Sequence, residues 1–320
     1  LAPYLEDFIN DPTWRYRVRF DDAVLSWEGW QKKLDLVVVG ARFVDQRGAE
    51  LILVPRMSVV FNSQELLAGR IRVTGLELIE PKLRFLRQEG GQIVITDDGG
   101  TSGNPDRVGV VFNPAIFNDK AGGASAETFG DLRELSVRGA NLSFHDLTSD
   151  LRLSLPSANL RLRQEDDGIA LRLSTRLRIG QSEAAFGVSA LYKNEASPLI
   201  AAVNFAEVHI AGLAKAIGSP RLEFMLGQEV VAAGRVDLSI SSDGDLDSLR
   251  FDVTTGPGSI LVPGLQGNPI EINEMFAKGQ FAENFSQLSV ADLRLDIGGG
   301  LNARGEGLWS KSSDGISLQA

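Results

Sequence analysis

Residues 160–173 read LRLRQEDDGIALRL. Leu160 and Leu162 alternate with Arg161 and Arg163, the chain turns at Glu165-Asp166-Asp167-Gly168, and Ile169, Leu171 and Leu173 resume the alternation on the way back. Successive side chains of a strand point to opposite faces, so this is a hairpin with one aliphatic face and one charged face. The same period recurs along nearly the whole chain after Trp14, in LDLVVVG, RMSVVFN, RIRVTGLEL, KLRFLR, QIVIT, LRLSL, RVDLSI, LRFDV and LRLDI. Gly, Asp and Asn punctuate these runs at short intervals, as hairpin turns do. A mainly β, antiparallel chain is expected.

Helix is confined to three places. LAPYLEDFINDP opens the chain with Pro3 near a helix start, Leu1, Leu5 and Phe8 at helical spacing, and a stop at Asn10-Asp11-Pro12. It carries Glu6 and Asp7 and no basic residue, which favours packing over a sheet end rather than lying on a membrane. Two short crossing helices are expected at SQELLAG (63–69), with Ser63 as cap and Gly69 as stop, and at AGLAKAIG (211–218). TDDGGTSGNPD (96–106) and NDKAGGASAETFG (118–130) read as exposed loops, and neither shows a phosphate-cradling glycine pattern. The turn glycines Gly91, Gly168, Gly244 and Gly315 are 77, 76 and 71 residues apart, which suggests a weak repeat of several strands plus a crossing segment. The expected organisation is an N-terminal β module over 1–117, a linker over 118–130 and a repeating β region over 131–320.

A net charge of −10 and a pI near 4.9 repel phosphate backbones, and the arginines of RYRVRF (15–20) alternate with Tyr16, Val18 and Phe20 as one solvated strand face would. Nucleic acid is not an expected partner. Cysteine is absent, removing disulfides, thiolate metal sites and Cys nucleophiles together. The best candidate span, LIAAVNFAEVHIAGLAKAIG (199–218), is broken by Asn204, Glu207, His209 and Lys215. The chain opens on Leu1 and its last strand-like run stops at Ala320, so a piece of a longer chain is expected, with any signal or anchor before residue 1.

Chemistry is sparse. The two histidines, His145 and His209, have no second imidazole or thiol at metal-ligand spacing. His145 next to Asp146 reads as a strand-end histidine beside a solvated carboxylate rather than an acid–base pair. The acidic clusters Asp97-Asp98, Glu165-Asp166-Asp167 and Asp243-Gly244-Asp245 fall on turns and lack the closing glutamate of a calcium loop. Trp27 and Trp30 of WEGW flank a turn, and with four Trp and three Tyr in all the chain offers little for a sugar platform. No enzyme, metal or cofactor is expected.

Strands with one aliphatic face need a partner layer: a second sheet, a helix, or the same sheet curling on itself. A closed sandwich or barrel and a curled sheet with an apolar trough share the same periodicity. Residues 20–91, with the LSW strand, the VP before a strand, SQELLAGR and LELIEPKLRFLR running into a glycine hairpin, resemble the N-terminal part of the bacterial AsmA-like proteins, particularly the YhdP and TamB branch. GRVDLSISSDGDLDSLRFDVTTGPGSI (234–260) and FSQLSVADLRLDIGGGLNARGEG (285–307) are similar to the repeating C-terminal portions of that family. The resemblance implies an elongated, curled antiparallel sheet forming a repeating β groove, in a periplasmic body anchored upstream to the inner membrane, that conducts phospholipid towards the outer membrane. It brings no catalytic residues.

The groove lining is then expected at Leu160, Leu162, Leu171, Leu173, Val236, Leu238, Ile240, Phe251, Val253, Leu293 and Leu295. Phospholipid acyl chains are the expected partner. Burying a methylene is worth about 0.8 kcal/mol, so two chains of about 16 carbons gain on the order of 25 kcal/mol against water, and almost nothing against a bilayer. Such a trough lets lipid cross water without setting a direction. The alternative is a scaffold or assembly factor whose free sheet edges pair with outer-membrane protein strands.

Overall fold

The computed structural model describes residues 6, 10, 16–27, 34–45, 48, 50–62, 64–65, 72–88, 93–97, 110–111, 132–148, 151–166, 168–179, 182–193, 197–218, 223, 225–241, 246–261, 269–282, 287–312 and 315–319. Among them the chain is mainly β, with one helix described along its length, and it divides into two units, Leu1–Asp166 and Asp167–Ala320.

The first unit holds β1 (Tyr16–Arg19), β2 (Asp22–Trp27), β3 (Leu34–Asp45), β4 (Glu50–Phe61), β5 (Val73–Ile79), β6 (Lys82–Arg87), β7 (Ile93–Asp97), β8 (Val110–Val111), β9 (Glu134–Asp146) and β10 (Leu151–Glu165). β1 and β2 lie end to end along one edge of β3 in a single register, Tyr16 opposite Asp45 and Trp27 opposite Leu34. The break between them faces Gly40, whose φ of 64° suits glycine and whose missing Cβ leaves room for the Asp21 carboxylate. That carboxylate takes a two-pronged ion pair from Arg42, at 2.6 and 2.9 Å, and the guanidinium holds its pKa below the usual carboxylate range.

β3, β4 and β5 continue antiparallel. β5 and β6 are again end to end, and both pair in parallel with β9 in one register, from Gly75 opposite Glu134 to Arg87 opposite Asp146. Glu80 (φ 53°), buried Pro81 and Gly139 (φ 63°) mark this second break. The Glu80 amide donates to the Arg138 carbonyl at 2.8 Å and the Asn141 amide to the Pro81 carbonyl at 2.9 Å, bonding the two chains on either side of the break, while the Gly139 amide donates to the Asn159 side chain at 3.0 Å. β6 pairs with β7, β7 with β8, and β9 with β10, all antiparallel. The alternation of RYRVRF and LDLVVVG delivers Val18, Phe20, Leu36 and Val38 to a dry core with Val54, Met57, Val59 and Val73, and Leu83 and Phe85 of β6 pack against it.

The second unit runs β11 (Gly168–Ile179), β12 (Ser182–Tyr192), β13 (Leu199–His209), α1 (Ile210–Ile217), β14 (Val231–Ile240), β15 (Leu246–Thr255), β16 (Gly258–Ile260), β17 (Ile270–Ile272), β18 (Glu274–Ala282), β19 (Gln287–Gly298), β20 (Leu301–Ser312) and β21 (Gly315–Gln319). Setting aside the small β16–β17 hairpin, each strand pairs antiparallel with the next from β11 to β21. Among the described residues no pairing returns from β21 to β11, so the sheet is open rather than a closed barrel. α1 follows β13 and the β16–β17 hairpin follows β15; these two strands run the same way, so both insertions sit at the same strand ends. α1 stops where Gly218, at φ 63°, donates its amide to the Ala214 carbonyl at 3.0 Å, with Lys215 in the last turn.

The crossing helix expected at 211–218 is present, beginning one residue earlier at Ile210. The opening segment, SQELLAG and the two glycine-rich loops lie largely outside the described residues. The two units meet in sequence at Asp166/Asp167, with β9 and β10 in the first through the parallel pairing of β9 with β5 and β6, and the linker expected over 118–130 lies outside the described residues. The spacing between turn glycines is not a strand-for-strand repeat: β11–β14 lie between Gly168 and Gly244, and β15–β20 between Gly244 and Gly315. Each interval does carry one insertion.

Gly40→Ala is expected to lower the stability of the first unit by roughly 1–3 kcal/mol, from a left-handed backbone strained by a Cβ and a displaced Asp21, read as a shift in the urea midpoint.

Candidate functional site

Residues directly opposite one another across an antiparallel pair share a face, so the registers of the second unit can be followed strand by strand. One row runs Leu171, Ala190, Ala201, Leu238, Leu249, Phe281, Leu288 from β11 to β19. The next runs Leu173, Val188, Val203, Val236, Phe251, Gly279, Val290. A third runs Thr175, Phe186, Phe205, Gly234, Val253, Ala277, Leu293. The bulge between the Lys278 and Gly279 pairings keeps Val290 and Leu293 on one side of β19. A fourth row, Val208, Ala232, Thr255, Met275, Leu295, lies at the ends carrying the insertions. At about 4.8 Å per strand, seven strands make an apolar surface roughly 29 Å wide.

The opposite face is mainly polar, with Leu191 and Ile200 as an apolar pair at one end. Arg172, Ser189, Asp237, Arg250, Gln280 and Ser289 share it, and Arg235 pairs with Asp237 at 2.6 Å and Arg294 with Asp292 at 2.5 Å. Hydrogen bonds from these arginines hold both carboxylates below their ordinary pKa. The pairs are exposed and add little to stability. Their effect is to keep this face in water.

What covers the apolar face decides what it can do. At the fourth row, Val230, Ile260 and Ile272 form a buried cluster with Ile210, Met275 and Leu295, and a bridge between Glu229 and Ser259 ties the two insertions together. Val208, Ala232 and Thr255 are at most 2 % exposed there. The hydroxyl of Thr255 has no partner. On the other three rows, by contrast, every described Leu, Val and Phe remains partly exposed, and Leu293 reaches 36 %. Only the small Ala201 and Thr175 count as buried. The rings of Phe251 and Phe281, 5.7 Å apart, and of Phe186 and Phe205, 6.4 Å apart, pack on one another along the sheet. The first unit shows the contrast: Leu36, Val38 and Val54 are no more than 1 % exposed.

Of the expected lining residues, Leu171, Leu173, Val236, Leu238, Ile240, Phe251, Val253, Leu293 and Leu295 share this face, Leu295 under the capping cluster. Leu160 and Leu162 belong to the first unit, opposite Val137 and Leu135 of β9, where Leu162 is 9 % exposed. Sequence reasoning missed β12 and β13 entirely, with Phe186, Val188, Ala190, Ala201, Val203 and Phe205. Their alternation is present but diluted by small residues on both faces. Asp146, expected to be solvated, is buried at 5 % exposure; its carboxylate pairs with Arg87 at 3.0 Å and accepts from the Thr148 amide at 2.9 Å.

Among the described residues no group of three or more His, Asp or Glu could hold a metal, and no helix is long and apolar enough to cross a membrane. No family model, curated protein or solved structure matches the chain.

Leu36→Asp should cost several kcal/mol and unfold the first unit, since it buries an unpaired charge. Leu171→Glu and Leu238→Asp, on a face with water access, should cost about 1 kcal/mol or less, as surface substitutions do. Thermal melts of the three variants check the contrast.

Proposed function

We propose that the second unit takes up lipid acyl chains on its apolar face, as part of a periplasmic protein that passes phospholipid between the inner and outer membranes. One observation carries the reading: three in-register apolar rows whose large side chains are left partly open while a dry core is built elsewhere in the same chain. A sheet face of this size without a second layer is costly in water and neutral against hydrocarbon. Lipid tails are the guest that removes the cost without demanding a matching surface. The headgroup stays at the rim, where it keeps its hydration. The likeness to AsmA-like proteins supplies the envelope setting and the upstream inner-membrane anchor.

A second reading, a scaffold that pairs with outer-membrane protein strands, is favoured by the edge of the first unit. The β1 half of that edge is guarded: the Asn10 side-chain amide donates to the Val18 carbonyl at 2.8 Å and its oxygen accepts from the Val18 amide at 2.6 Å, while Glu6 accepts from Phe20 at 2.8 Å. The collinear β2 half shows Val24 and Leu25 at 55 % and 52 % exposure on opposite faces. Natural edges are seldom left this apolar.

Native mass spectrometry of the purified chain should find phospholipid bound, and Leu171→Glu and Leu238→Asp should lose it while keeping the fold. A lipid-free wild-type protein that captures outer-membrane protein strands through a crosslinker at Val24 would replace the first reading by the second.

A further inference from the structure

Within the apolar face, β12 and β13 carry matched side chains in graded sizes. Ala190 lies opposite Ala201, Val188 opposite Val203 and Phe186 opposite Phe205. Backbone height is shared along a ladder, so side-chain length alone sets the floor, which climbs from an alanine pair through a valine pair to a phenylalanine pair. The alanines lie towards the uncapped strand ends, and the two rings, 6.4 Å apart, stand nearer the cluster formed by Val230, Ile260 and Ile272. Leu171 on β11 and Leu238 on β14 flank the alanine pair in the same row. Their backbones are about 14 Å apart, three strand spacings, with the two small alanines between them.

We infer that this graded trough is a single-chain slot that sets the orientation and length of the acyl tail it holds. The inference rests on the proposed uptake of lipid by this face. From the alanine pair to the phenylalanine pair is four residues, about 14 Å at ~3.4 Å per residue. One leaflet of a bilayer's hydrocarbon core is half of about 30 Å, so the slot matches one tail. The methyl end rests against Phe186 and Phe205 and the polar end leaves over Ala190 and Ala201. The reverse orientation would drive a headgroup towards the apolar cap, where its desolvation has no compensation.

Binding of lysophosphatidylcholines from decanoyl to stearoyl, measured by calorimetry on the full chain, tests this. Affinity should rise with chain length and then level off. Ala201→Phe and Ala190→Leu, which raise the floor, should each weaken the longer chains by about tenfold or more, the worth of roughly two buried methylenes. Phe205→Ala should move the plateau to longer chains. Ala190 is partly exposed, so Ala190→Leu leaves the melting temperature near wild type, whereas overfilling a closed core would lower it. Wild-type affinity in both alanine variants, with Leu238→Asp still abolishing binding, overturns the slot and leaves the apolar-face reading standing. A wild-type chain that binds none of the series overturns both.

Discussion

The second unit buries its apolar surface mostly within one layer. In a two-layer fold each strand's aliphatic face is sealed by an opposing sheet or helix, and the gain in free energy comes from that contact. Here the seal is confined to the ends where α1 and the β16–β17 hairpin meet over Met275 and Leu295. Beyond that end, Leu171, Leu238, Phe251 and their neighbours shield one another sideways along the rows. Cross-strand pairs contribute roughly 0.2–1 kcal/mol each, so a broad sheet with long ladders can hold together on lateral contacts alone. The polar reverse face, with its exposed Arg–Asp pairs, keeps the other side in water and so decides which side remains available.

The first unit solves the same problem differently. Its strands are interrupted at Phe20–Asp21 against Gly40 and at Glu80–Pro81 against Gly139, yet register is kept across both breaks. The breaks bring Leu83 and Phe85 of β6 against the core of β3 and β4. Two units built from the same alternating pattern therefore reach opposite outcomes, one closed and dry, one open along three of its four rows.

An open apolar face and a graded floor belong to one physical argument. Hydrocarbon is the guest for which water is worse and a bilayer equal, so exchange can run either way at little cost. In the proposed slot, side-chain height is the means of discrimination, because a face without a roof offers little else to limit where a chain lies. The alanine, valine and phenylalanine pairs of β12 and β13 provide that height in matching steps on two strands.

The alternation around Gly168 was enough to establish a mainly β chain, and it placed Leu171, Leu173, Val236, Leu238, Phe251 and Val253 on a common face, because a period of two is a local property of the backbone. It also marked α1, whose glycine stop is local too. Local pattern was silent on partners. Leu160 and Leu162 alternate just as Leu171 and Leu173 do, yet they belong to the first unit, since β9 and β10 are held there by parallel pairing with strands some 59 residues earlier. Ala190 and Ala201 carry no signal in the sequence until register sets them side by side. Whether an aliphatic face is roofed depends on which strands meet across the chain, and only the tertiary structure decides that.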